Sequence, residues 1–99
     1  MNIVINPVGL DASTQLIEFV SKKMKKLETF FDRIVEAEVF LKMDTKQNIK
    51  DKTVEIKLHV PGRTIFVCET SKTFEESTDM AIDTMSRQLK KQKEKSKVY

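Results

Sequence analysis

Val35-Glu36-Ala37-Glu38-Val39-Phe40-Leu41-Lys42-Met43 alternates strictly. Val35, Ala37, Val39, Leu41 and Met43 point one way, and Glu36, Glu38, Phe40 and Lys42 point the other. A period of two is that of a strand with one buried and one wet face. A polar stretch, Asp44 to Lys52, reads as a loop, after which the alternation resumes. Val54, Ile56, Leu58 and Val60 oppose Thr53, Glu55, Lys57 and His59. Pro61-Gly62 is a turn signal, and Ile65 and Val67 then oppose Thr64, Phe66 and Cys68. One-sided strands of this kind build antiparallel sheets, so helices must cover a single apolar face.

Two helical segments flank these strands. Leu16, Ile17, Val20, Met24, Leu27 and Phe31 are spaced 1, 3, 4, 3 and 4 apart, which predicts a helix over about Ser13 to Phe31 with Ser13 as N-cap. Lys22, Lys25 and Lys26 fall opposite that stripe, and Lys23 falls at its edge. Thr73-Phe74-Glu75-Glu76 has capping-box form, and Phe74, Ala81, Ile82, Met85 and Leu89 continue as a helical stripe. Arg87, Lys90 and Lys91 lie roughly opposite it. Met80 falls outside the stripe and is expected to be half exposed. Beyond Leu89 no apolar residue occurs before Val98, so residues 90–99 are expected to project as a basic helix end or tail. Ahead of everything, Asn2 to Asn6 reads as a short strand stopped by Pro7 and Gly9. The order β-α-β-β-β-α predicts a single α+β domain over residues 1–99, a four-stranded, mainly antiparallel sheet with two helices packed on one face.

The chain has 99 residues, 39% of them apolar and 33% charged. This composition excludes a disordered chain, and no apolar run approaches the roughly 20 residues that span a bilayer. The first residues lack the basic start and long apolar stretch of a secretory signal. A lone cysteine, Cys68, excludes an internal disulfide and suits a reducing cytoplasm. One histidine and one cysteine cannot make a His/Cys zinc site within one chain.

Charge is unevenly spread. Residues 87–99 carry six basic side chains against Glu94 alone, whereas residues 1–86 carry 12 basic and 14 acidic ones. Lys22, Lys23, Lys25 and Lys26 form a second cluster within that acidic region. If the two helices run side by side, their outward faces make one positive strip fit for a polyanion. The plainer alternative is a solvated face that keeps the chain soluble. Phe40 and Phe66 on the outer sheet face could stack on bases. Glu36, Glu38 and Glu55 around them repel phosphate, which favours the helical face.

Nothing in the chain assembles a reaction centre. His59 is expected on the wet face of a strand as a surface residue. Cys68 has no base near it in sequence and reads as an inert, partly exposed thiol. Glu36 and Glu38 share a strand face as solvated acids. There is no Gly-rich phosphate loop and no nucleophile elbow. The reading is a binding protein, not an enzyme, with no cofactor, no metal and no small-molecule substrate.

Lys26-Leu27-Glu28-Thr29-Phe30-Phe31-Asp32-Arg33-Ile34 closely resembles the K-L-E-x-[FY]-F-D-R-I segment of bacterial ribosome hibernation promoting factors. That group includes the ribosome-associated inhibitor and the subunit-interface proteins. Leu58-His59-Val60-Pro61-Gly62 resembles the family's third strand and hairpin turn. Ile82 to Lys95 resembles its I-D-x-L-x-R-Q-L-x-K-x-K-x-K second helix. The similarity covers essentially the whole chain and implies the β-α-β-β-β-α fold. Where the family's second helix often has tyrosine, Glu75 stands. The chain ends at Tyr99 without the C-terminal extension of long-form members, which implies the short form.

By that resemblance the partner is the small ribosomal subunit and its rRNA. The domain would sit in the channel of mRNA and of A- and P-site tRNA and block translation on idle ribosomes by occlusion. Positions matching the family's basic pattern are Lys23, Lys26, Arg87, Lys91, Lys93 and Lys95; Lys22, Lys25 and Lys90 are their outward-facing neighbours. The free protein is expected to be a cytoplasmic monomer without a membrane partner. Two rivals remain: a generic double-stranded RNA-binding module, and a regulatory interaction domain working through Phe40 and Phe66.

Overall fold

The computed structural model describes residues 1–29, 31–44 and 51–95, with Asp44 and residues 92–95 described by backbone alone. Its elements are β1 (Asn2–Val8), α1 (Thr14–Lys25) with a 3-10 turn at Lys26–Thr29, β2 (Glu36–Asp44), β3 (Asp51–Val60), β4 (Arg63–Ser71) and α2 (Phe74–Lys95). The sheet order is β1-β2-β3-β4. β1 pairs parallel with β2, and both later pairings are antiparallel. The expected α+β architecture is therefore present, as a mixed sheet with one parallel pair.

Alternation puts Ala37, Val39 and Leu41 of β2, Val54, Ile56, Leu58 and Val60 of β3, and Ile65 and Val67 of β4 under the helices. Val20, Met24 and Leu27 descend onto them from the first helical segment, and Phe74, Ala81, Ile82, Met85 and Leu89 from α2. Fully burying a side chain of this size contributes about 1.5–3 kcal/mol relative to leaving it in water. This apolar layer is the main fold-holding term.

Several boundaries differ from the sequence reading. β1 runs through Pro7 to Val8 and stops at Gly9, whose φ of 70° is left-handed. Proline is tolerated because β1 is an edge strand, where a missing N–H leaves no ladder bond unmade. Of the expected loop, residues 45–50 lie outside the described residues, while Asp44 belongs to β2, and Asp51 and Lys52 open β3. The α-helix ends at Lys25 because the Lys26 N–H bonds the Lys23 carbonyl, a tighter three-residue step. The Thr29 hydroxyl then donates to the Lys26 carbonyl at 2.6 Å. Phe30 of the quoted motif lies outside the described residues. At the ends of the β2 alternation, Val35 is 63% exposed and Met43 38%, since neither helix reaches over them.

Both N-cap hydroxyls sit where the sequence predicts them. The Leu16 N–H donates to Ser13 Oγ at 3.1 Å, and the Glu76 N–H donates to Thr73 Oγ1 at 3.1 Å. A contact not anticipated ties α2 to the sheet: the buried Ser77 hydroxyl donates to the Lys52 carbonyl at 2.6 Å.

Candidate nucleic-acid interface

The relation of the two helices follows from strand direction. β1 and β4 run the same way, because two antiparallel steps lead from β2 to β4. Each is followed by a helix returning over the same face, so α1 and α2 lie parallel and side by side. Their stagger is fixed by an ion pair: Lys23 Nζ lies 3.1 Å from Asp79 Oδ1. The same ammonium sits 5.3 Å from the centroid of Phe19. Phe19 packs against the core while Ile17 is 36% exposed. The buried arc of α1 is thus rotated from the expected stripe toward the neighbouring helix.

This stagger decides where the cations go. Lys22, Lys25 and Lys26 are exposed at the end of α1, level with the second and third turns of α2. From Asp79, α2 continues for 16 more residues, about 24 Å at 1.5 Å each. Arg87, Lys90 and Lys91 therefore lie beyond the end of α1, all exposed. Asp79 stands level with the first group, on Lys23, and Asp83 stands between the groups, on Arg87, the latter pair at 2.6 Å across one helical turn. The helices do run side by side, but the expected strip has basic ends and an acid-bearing middle. Lys93 and Lys95 are on the α2 backbone, with side chains outside the described residues.

The outer sheet face is organised differently. Lys42 Nζ lies 3.1 Å from both Glu55 carboxylate oxygens. His59 Nε2 lies 2.9 Å from Glu38 Oε2, and its Nδ1 lies 3.1 Å from Thr64 Oγ1. Glu36 accepts a bond from Asn2 at 3.3 Å. The two acids expected to be fully solvated are thus half-buried and partnered. Lys57 hangs 5.6 Å from the centroid of Phe40, and Phe66 is 52% exposed. A shallow groove lined by Lys42, Met43, Thr53, Glu55, Cys68 and Thr70 opens on this side. Partial burial of the sulfur, then Glu55 and Glu69, push the Cys68 thiol pKa up, against the pull of Lys42. Among the described residues no group of three His, Cys, Asp or Glu side chains could hold a metal ion, and no helix is long and apolar enough to cross a membrane.

Residues 3–97 match the family model described as sigma 54 modulation protein / S30EA ribosomal protein. The chain belongs to this family. It is similar to the ribosome hibernation promoting factor of Escherichia coli (strain K12), 35% identical over 99 residues that span all of both chains. Among solved structures it is similar to a ribosomal subunit interface protein from Coxiella burnetii, with a TM-score of 0.85, 25% identity and coverage of 94% and 98% of the two chains. The N-terminal domain of Thermus thermophilus Protein Y superposes with a TM-score of 0.79 at 25% identity, covering 92% and 98%.

The sequence carries one further signal beside the two lysine clusters. Glu75, Asp79, Asp83, Arg87, Lys91 and Lys95 succeed one another every fourth residue of α2, three acids and then three bases. Residues four apart are neighbours on a helix, so this row is one ridge that changes sign once. The Asp83–Arg87 pair bridges the change.

Proposed function

We propose that this chain is a ribosome-associated hibernation factor, acting in the cytoplasm. It binds the small ribosomal subunit through the basic ends of its helical layer and keeps idle ribosomes from translating. The observation that carries this reading is a two-helix surface with Lys22, Lys23, Lys25 and Lys26 from α1 and Arg87, Lys90 and Lys91 from α2. It occurs in a chain that aligns end to end with a ribosome hibernation promoting factor.

The physical role of the cations is to neutralise rRNA phosphates and release condensed counterions. Lys93 and Lys95 join them on the projecting end of α2. Charge alone would bind any RNA, so selectivity rests on shape, with a rigid body filling the channel used by mRNA and by A- and P-site tRNA. The mechanism is occlusion and needs no bond to be made or broken. The free protein is a monomer in this reading.

Co-sedimentation with isolated small subunits tests it, across a salt series and with mRNA and initiator tRNA as competitors. The expected result is saturable pelleting near one copy per subunit, displaced by those competitors. With roughly 6–10 phosphate contacts, affinity should fall by about three to five orders of magnitude between about 50 and 200 mM salt. Unsaturable pelleting, or displacement by any plain RNA duplex, would reduce the protein to a generic duplex binder. Absence of pelleting at low salt would overturn the ribosomal reading altogether.

A further inference from the structure

Asp79 and Asp83 stand inside the surface that the proposed function gives to RNA, and each holds one of its cations. Lys23 is 27% exposed and Asp79 54%, while Arg87 and Asp83 are both 69% exposed. Ion pairs as open as these contribute little to stability. Their larger electrostatic effect falls on what can approach. A phosphate reaching Lys23 or Arg87 must displace a carboxylate already there and come within a few ångströms of it.

The position of the two acids gives this cost a pattern. Asp79 to Lys91 spans 12 residues, about 18 Å along the axis, with Asp83 in the first third. The path from one basic group to the other thus passes carboxylates, Asp79 beside Lys23 and Asp83 beside Arg87, that disfavour phosphate. A regular RNA duplex runs phosphates along each backbone without a break, so contact with both ends brings phosphates over the acids. A folded RNA surface with phosphates only where the two ends touch avoids them.

We propose that Asp79 and Asp83 are specificity-determining residues. They act as built-in competitors for phosphate, selecting an irregular, gapped phosphate surface over a continuous one. This rests on the ribosomal reading above and assigns its selectivity to two residues that carry the wrong charge for RNA.

The test compares wild type, Asp79→Asn/Asp83→Asn and Asp79→Glu/Asp83→Glu for affinity to a plain RNA duplex and to isolated small subunits. Removing two carboxylates near the phosphate path should tighten duplex binding by about tenfold once salt screening is included. Small-subunit affinity should rise by much less, so the ratio of the two affinities falls. Each cation freed to meet a phosphate should also steepen the salt dependence on duplex by about 0.9 in log K against log salt, a shift that a purely structural role would not produce. The glutamate variant keeps the charge and should keep the wild-type ratio. Equal tightening on both RNAs, or none on duplex, overturns the proposal while leaving the ribosomal reading intact. Failure of wild type to bind small subunits saturably overturns both.

Discussion

The two broad faces of this domain carry similar kinds of side chain and arrange them oppositely. On the outer sheet face, opposite charges sit on neighbouring strands and find each other. Lys42 meets Glu55, His59 meets Glu38, and Lys57 is drawn over Phe40. All three contacts run diagonally across the β2–β3 register. Backbones about 7–8 Å apart there are still within reach of long side chains, so an acid near a base is locally neutralised. On the helical face, charge is sorted along an axis instead. The α2 ridge runs acid, acid, acid, base, base, base, and α1 adds lysines at one end. Lys23–Asp79 and Asp83–Arg87 pair here as well, but charge still changes sign along α2. Such sorting leaves a field that reaches outward, whereas pairing cancels it within one contact. In the proposed function this makes the helical layer the face offered to a polyanion.

Charge reversal breaks this comparison most severely. Lys91→Glu/Lys93→Glu/Lys95→Glu replaces three proposed phosphate partners with three repulsive groups on the part of α2 beyond the last buried residue described, Leu89. Affinity for small subunits should fall by about three orders of magnitude or more, with the circular dichroism spectrum of the fold retained. Lys42→Gln/Lys57→Gln on the sheet face should change it by less than about threefold, since no phosphate contact is removed. A comparable loss from the sheet-face variant would place the interface on the wrong side of the molecule.

A smaller effect separates the seam between layers from the wet face. Ser77 is fully buried, and its hydroxyl holds the Lys52 carbonyl at the start of β3. Ser77→Ala leaves that carbonyl without this donor and should cost about 1–3 kcal/mol. In a domain of this size each kcal/mol lowers the Tm by about 4–8 °C. The Thr53–Thr70 hydroxyl pair, 2.9 Å apart on the wet face, is exchangeable with water. Thr70→Val should therefore shift stability by less than about 0.5 kcal/mol. Equal costs at the two positions would show that the seam holds no special contact.

Local pattern made most of the fold legible. Alternation in β2, β3 and β4 marks the buried face except at the ends of the β2 run, Val35 and Met43, and both capping hydroxyls, Ser13 and Thr73, occupy the predicted positions. Errors arose where a neighbour decides. Pro7 stays in a strand because β1 is at an edge, and Ile17 gives way to Phe19 because α2 lies on that side of α1. The basic residues were legible as two clusters, but their offset was not. It depends on the Lys23–Asp79 contact, 56 positions apart in sequence, which no periodicity encodes. The acid-to-base ridge of α2 is fully encoded; reading the lysines without the aspartates four and eight positions before Arg87 conceals it.

Cys68 measures how far the sheet face looks after its own charge. The residue is exposed, yet partial burial of its sulfur, Glu55 and Glu69 together raise its pKa, with Lys42 opposing. The thiolate is the reactive form, so alkylation by iodoacetamide at mildly alkaline pH should be slower than for a free cysteine, with its pH profile displaced upward. Removing one member of the neighbouring ion pair should move that profile in opposite directions: down for Glu55→Gln, up for Lys42→Gln. The sign for stability follows. A thiol that keeps its proton longer when folded favours the native state while both states are protonated. It loses that contribution as pH rises from the unfolded thiol's range through its own raised pKa. The increment is small because the group is exposed. A profile that moved the same way for both variants would mean that the groove responds to packing and not to charge. Local pairing on the sheet face would then be too weak an explanation for its contrast with the helices.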